Sequence, residues 1–209
     1  MGSEMCIRDS NNGDDSFSEI GRWAGIEASD WSWGALFFDM DNDGYKDLFI
    51  ANGIYQDLTN QDYLQYVASE EVIKSIVSNN QVDYARLIDI IPSNKVPNHA
   101  YKNTGKLGFE NYELSGLDLP SFSNGSAYGD LDNDGDLDLV VNNVNMPLFV
   151  FKNKAEKIGN NYLKVALKGT KTNPNAIGAK LKLPLLLGNY FKKYNLYVDF
   201  NLVWKLFLP

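Results

Sequence analysis

The sequence predicts a mainly β protein assembled from repeated units (a propeller, solenoid or array) with one small helical insertion. Three observations predict it. The decapeptide Asp39-Met-Asp41-Asn-Asp43-Gly44-Tyr-Lys-Asp47-Leu48 recurs 91 residues later as Asp130-Leu-Asp132-Asn-Asp134-Gly135-Asp-Leu-Asp138-Leu139. Short apolar, aromatic and β-branched runs bounded by turn residues flank both copies, which is the pattern of strands. The matching also extends well beyond the loops, so each copy belongs to a larger unit that must bury its faces against neighbours.

The elements follow in order. Asn11-x-Gly13-x-x-x-Phe17, leading to Gly25-Ile26, opens the repeated region. Ser32-x-Gly34-Ala35 begins a strand that runs through Phe38 to the first loop, and Leu48 to Ala51 forms the strand after it. Pro97 to Asn103 ends in Tyr101-Lys-Asn103 and passes into Asn103-x-Gly105-x-x-x-Phe109, leading to Gly116-Leu117. The second unit repeats Ser32-x-Gly34 as Ser123-x-Gly125, then the loop, the strand Leu137 to Val141, and Pro147 to Asn153 with Phe151-Lys-Asn153. From Asp39 to Asn103 is 64 residues, whereas Asp130 to Asn153 is 23, so the first unit carries 41 extra residues, roughly Ile54 to Asn94.

That insertion reads as helical. Thr59 and Asn60 are suitable caps, and three apolar stripes follow: Tyr63, Leu64 and Val67; Val72, Ile73, Ile76 and Val77; Val82, Ala85, Leu87 and Ile88. Pro92 ends the run. A rim cap is expected rather than a dedicated partner site.

The loops carry the chemistry. Asp at positions one, three, five and nine, with Gly at six, suits a hard cation that takes six to eight oxygens. In the first loop Asp39, Asp41, Asp43 and Asp47 are the candidate ligands, with the Tyr45 carbonyl at position seven. In the second they are Asp130, Asp132, Asp134, Asp138 and the Asp136 carbonyl; the Asp136 side chain need not bind. Gly44 and Asn42 suit backbone turns that other residues resist. Oxygen-only ligation disfavours zinc and copper, and Mg2+ prefers a smaller shell with retained water, so two Ca2+ sites are expected. The bland alternative is a pair of solvated acidic turns. The loops are not EF-hands, because Ile50 and Val141 stand where position twelve needs Glu.

Composition sets the outer bounds. The chain has 209 residues, 44% hydrophobic, with 19 basic and 27 acidic residues and a net charge of −8. The eight loop carboxylates equal the whole acidic excess. No basic stripe marks a nucleic-acid surface. Cys6 is the one cysteine, so there is no disulfide framework. Residues 1–10 lack the apolar stretch of a signal peptide, fall outside the repeat, and are expected to be a non-native leader. The Leu-, Phe-, Tyr-, Asn- and Lys-rich stretch 184–209 is too broken to span a membrane and is expected to be an out-of-context, frameshifted tail or an edge segment.

Ser32-Trp-Gly34-Ala35, the metal-loop pattern and the following Tyr101-Lys-Asn103 resemble the FG-GAP/VCBS repeat, which integrin α-subunit propellers use as Ca2+-binding blades. Ser29 to Gly34 and Ser123 to Asp130 are similar to the bacterial cartilage-acidic-protein-like group, in which an ASPIC/UnbV domain follows the propeller. Asn160 to Gly169 and Asn175 to Lys180 resemble the start of such a domain. The resemblance covers about residues 11–183. It implies a partial β-propeller over 11–153, interrupted by the helical insertion 54–94, and the start of an ASPIC/UnbV-like domain over 160–183. It also implies an exported protein, extracellular or at the bacterial cell surface or periplasm. Because such propellers have about seven blades, the chain is expected to be an internal fragment that packs against neighbouring blades of its parent.

The expected function is a non-catalytic binding or adhesion scaffold for a protein or glycan ligand. The alternative is a propeller enzyme or enzyme-accessory domain acting on glycans. The conspicuous carboxylates are committed to the loops, His99 is placed to pack or cap a turn, and no nucleophile–base pair or phosphate loop is present. Trp23, Trp31 and Trp33 adjoin strands and are expected in the core between blades, the alternative being a sugar-stacking platform.

Overall fold

A computed structural model describes residues 9–79, 84–165, 167–174, 176, 180–187, 190–197 and 204–208. The fold is mainly β, with several antiparallel sheets, none closed on itself. The strands are β1 Asp9–Asn11, β2 Phe17–Glu19, β3 Ser32–Phe38, β4 Asp47–Asn52, β5 Val96–Pro97, β6 His99–Asn103, β7 Phe109–Asn111 and β8 Pro120–Ser121. They continue as β9 Ser123–Gly129, β10 Asp138–Asn143, β11 Phe149–Phe151, β12 Asn161–Val165, β13 Lys180–Leu187, β14 Tyr190–Tyr197 and β15 Trp204–Leu208. The helices are α1 Gly21–Ala24, α2 Gln61–Val67, α3 Glu70–Asn79 and α4 Tyr84–Asp89.

The chain divides into two compact units, the first being residues 1–40, 45–131 and 137–153. Its centre is a four-stranded antiparallel sheet ordered β3-β4-β6-β7, beside a three-stranded sheet ordered β11-β10-β9. Every residue of β4 is buried, the signature of a strand covered on both faces. Phe49 and Ala51 join Phe38, Met40, Ala100, Leu139 and Val141 in one core, shared with the three-stranded sheet. Leu48 and Ile50 point the other way and meet Ala24, Ile26 and Tyr101 in a second core. Both halves of the period-two alternation are thus apolar because neither face of β4 meets water.

The Asn-x-Gly element forms the same hairpin twice. Asn11 pairs with Phe17 across β1 and β2, and Asn103 with Phe109 across β6 and β7. In each, the Asn side chain accepts the Gly N–H at 2.8 Å, and that Gly has positive φ, 79° and 73°. The strand β1 takes in Asp9 and Ser10, so the repeated structure starts before Asn11, where the sequence match begins.

The insertion is helical and closes where expected, by an isolated bridge between Ile54 and Asn94. Asn60 caps α2 by accepting the Tyr63 N–H at 3.1 Å. Val82 lies outside the described residues.

Two of the three tryptophans Trp23, Trp31 and Trp33 lie outside the cores of this chain. Trp23 is 66% and Trp33 49% exposed. The single turn of α1 turns Gly21 and Ala24 inward and leaves Trp23 outside. The Trp33 indole N–H is satisfied by the Gly53 carbonyl rather than by burial. Trp31 is half-buried.

The second unit comprises residues 41–44, 132–136 and 154–209. In it a 3-10 turn, Ala155–Ile158, precedes β12, which pairs with β15, and β13 pairs with β14. The strand β13 runs to Leu187, and β14 pairs along its whole length. Phe and Tyr in this stretch favour extended pairing. Among the described residues no helix is long and apolar enough to cross a membrane.

Candidate metal centre

Each loop joins two neighbouring antiparallel strands, β3 to β4 and β9 to β10, as the sequence requires. The turn residues behave as their chemistry dictates. Asn42 and Asn133 take φ of 60° and 61°, and Gly44 and Gly135 take 92° and 103°. Asn tolerates the left-handed region through local hydrogen bonding, whereas Gly has no Cβ to clash.

The loops gather their carboxylates. One oxygen each from Asp39, Asp41 and Asp47 lies within 4.8 Å of the others, and the same holds for Asp130, Asp132 and Asp138. An all-carboxylate cluster of this kind could hold a hard metal ion. The first triad is buried throughout; in the second only Asp138 is buried, Asp130 being half-buried and Asp132 exposed.

Asp43 and Asp134, at position five, stand outside these triads and are half-buried. Local bonds shape the turn around them. Asp43 N–H donates to Asp41 Oδ1 at 3.2 Å, Asp134 N–H to Asp132 Oδ1 at 3.3 Å, and Asp136 N–H to Asp134 Oδ1 at 3.1 Å. Tyr45, at position seven, is 52% exposed. Its ring lies over Gly105, where an added Cβ would come within 3.0 Å of it. At the same position Asp136 is instead 2% exposed. Its carboxylate accepts from Asn42 Nδ2 at 2.5 Å and from Glu156 N–H at 3.3 Å. Burial pushes this carboxyl above the usual carboxylate range, and the Glu156 side chain adds to the shift.

Position nine has a second task that the loop pattern alone does not reveal. Asp47 Oδ2 accepts the Met40 N–H and Oδ1 the Asn103 N–H, both at 2.9 Å. In the second repeat Asp138 Oδ2 accepts from Leu131 at 3.0 Å and Oδ1 from Asn153 at 2.9 Å. Each carboxylate therefore ties the start of its loop to the Lys-Asn end of the third strand. Its oxygens keep further lone pairs for a cation.

The asparagines complete this arrangement. Asn103 Nδ2 donates to the Lys46 carbonyl at 2.9 Å, and Asn153 Nδ2 to the Leu137 and Met40 carbonyls at 3.1 and 2.7 Å. A further repeated lock lies elsewhere on the same sheets. Ser32 donates to Asn52 Oδ1 and Asn52 Nδ2 to the Pro97 carbonyl; Ser123, Asn143 and Pro147 do the same. Asn52 and Asn143 are also 91 residues apart, so the repeat held the signal for them.

His99 lies in β6, stacked on Tyr101 with ring centroids 5.9 Å apart. Burial lowers its pKa, and the negative charge of Asp30 opposes the shift. It packs, as expected, and stands outside both carboxylate triads. Compared with known proteins, the chain matches no family model and no curated protein sequence.

Proposed function

We propose that this chain is a Ca2+-binding segment of a β-propeller of the FG-GAP/VCBS type, serving as a non-catalytic binding or adhesion scaffold of an exported protein. The observation that carries the reading is the pair of carboxylate triads, Asp39/Asp41/Asp47 and Asp130/Asp132/Asp138, each gathered within 4.8 Å. The four-stranded meander β3-β4-β6-β7, packed on a second sheet with the same loop, supports stacked blades. Cations would be structural here, holding together acidic loops that otherwise repel. Extracellular modules bind Ca2+ at about 10^-4 to 10^-3 M, a range that an exported setting keeps loaded.

Exposed Trp23 and Trp33 support a ligand-facing surface, of the kind that stacks on a glycan or anchors a protein partner.

The test is a thermal melt of the chain in millimolar Ca2+, in Mg2+ and in chelator. A rise with Ca2+ that is lost in the Asp39→Ala/Asp130→Ala double variant supports the reading. An unchanged melt in a folded sample sinks it.

A further inference from the structure

The tips of the two loops are joined to each other. Asn42, the fourth residue of the first loop, is fully buried and donates to Asp136 Oδ1 of the second at 2.5 Å. It sits between the candidate ligands Asp41 and Asp43, while Asp136 supplies the position-seven carbonyl of the other loop. A second path runs in parallel. Asn160 Nδ2 donates to the Asp41 carbonyl at 2.7 Å, and Glu156 N–H to Asp136 Oδ2 at 3.3 Å, so one short segment grips both tips.

The Asn42 amide is only half used. Among the described residues its Oδ1 is buried with no hydrogen-bond partner. Leaving a buried acceptor unpaired is costly, and turning the amide to satisfy it would give up the bond to Asp136. The side chain is thus held by its bridging role and not by its own satisfaction.

We infer that the two loops take up Ca2+ as a coupled pair, occupancy of one raising the affinity of the other. The inference rests on the metal reading above. A cation in the first loop draws its carboxylates together and fixes the backbone on both sides of Asn42. Asn42 then holds Asp136, and with it the position-seven backbone of the second loop, in the geometry that the second cation needs. That ordering is complete before the second cation arrives, so it binds more tightly, and linkage makes the effect mutual. Eight loop carboxylates offset the repulsion between the two cations.

Calorimetric titration of the full chain with Ca2+ alone tests this. Asp132 is exposed, so Asp132→Ala disables the second loop without disturbing a core. The first loop should then bind Ca2+ about fivefold or more weakly than in the wild type. Asn42→Gly, which keeps the positive φ and deletes the bridge, should shrink that difference, and Asn42→Gly/Asn160→Ala should abolish it. An unchanged first-loop affinity in Asp132→Ala overturns the coupling while the metal reading stands. Absence of Ca2+ binding by the wild type overturns both. If the bridge variants do not fold, the wild-type isotherm decides: a curve steeper than two independent sites supports the coupling, and an independent-site curve overturns it.

Discussion

Asp47 shows how one residue serves both structure and chemistry. Replacing it by Ala strands the Met40 and Asn103 N–H groups, at about 1–3 kcal/mol each. Asp47→Ala should therefore lose about 2–6 kcal/mol in urea denaturation even in chelator. Asp43→Ala, at half-buried position five, should lose mainly the Ca2+-dependent part. His99 makes the pH prediction. Its folded pKa lies below the ordinary 6.5, so between those values the unfolded chain binds more protons. Stability should then fall as pH drops through that window, and His99→Phe should flatten this component of the urea midpoint between pH 7.5 and 5.5. Trp33 is half-exposed, so Trp33→Ala should weaken ligand capture more than it lowers the melting temperature. A loss of folding comparable to a core truncation would return Trp33 to the core.

At the scale of elements, the first repeat is a four-stranded meander interrupted between its second and third strands. Ile54 bridges to Asn94, and Asp57 N–H reaches the Pro92 carbonyl at 2.9 Å, so the insertion leaves and re-enters through one narrow neck. Replacing residues 55–93 by a short turn should keep β4 and β6 paired. The melting temperature should move by only a few degrees, because loop length changes closure entropy slowly. A collapse of folding would show that α2 to α4 contribute to the core. The neck was legible because the two repeats can be subtracted from each other, leaving the surplus residues. The outward Trp23 was not legible. It depends on which side of an element finds a partner, which local pattern does not record.

At the scale of the whole molecule, two cores on opposite faces of β4 hold the first unit, and the excess of negative charge opposes folding. With a net charge of −8, two Ca2+ would halve the formal excess, to −4. At tenfold excess over the dissociation constant each site adds about 1.4 kcal/mol. Two sites should then raise the melting temperature by about 6–12 °C, a shift that chelator removes. A rise of that size in Mg2+ would argue for a smaller octahedral shell than Ca2+ takes.

The sequence by itself determined the two acidic loops, their flanking strands, the recurring Asn-x-Gly hairpin and the bounds of the insertion. Each of these is a short-range pattern whose spacing and residue types carry their own physical reason. Only the tertiary structure decided that Asp47 and Asp138 tie strands together, that Trp23 and Trp33 face outward, and that Asn42 reaches Asp136 across 94 residues of chain. Those outcomes turn on how repeated units stack. Stacking is chosen by the sum of many burial and hydrogen-bond terms, none of which any one segment contains.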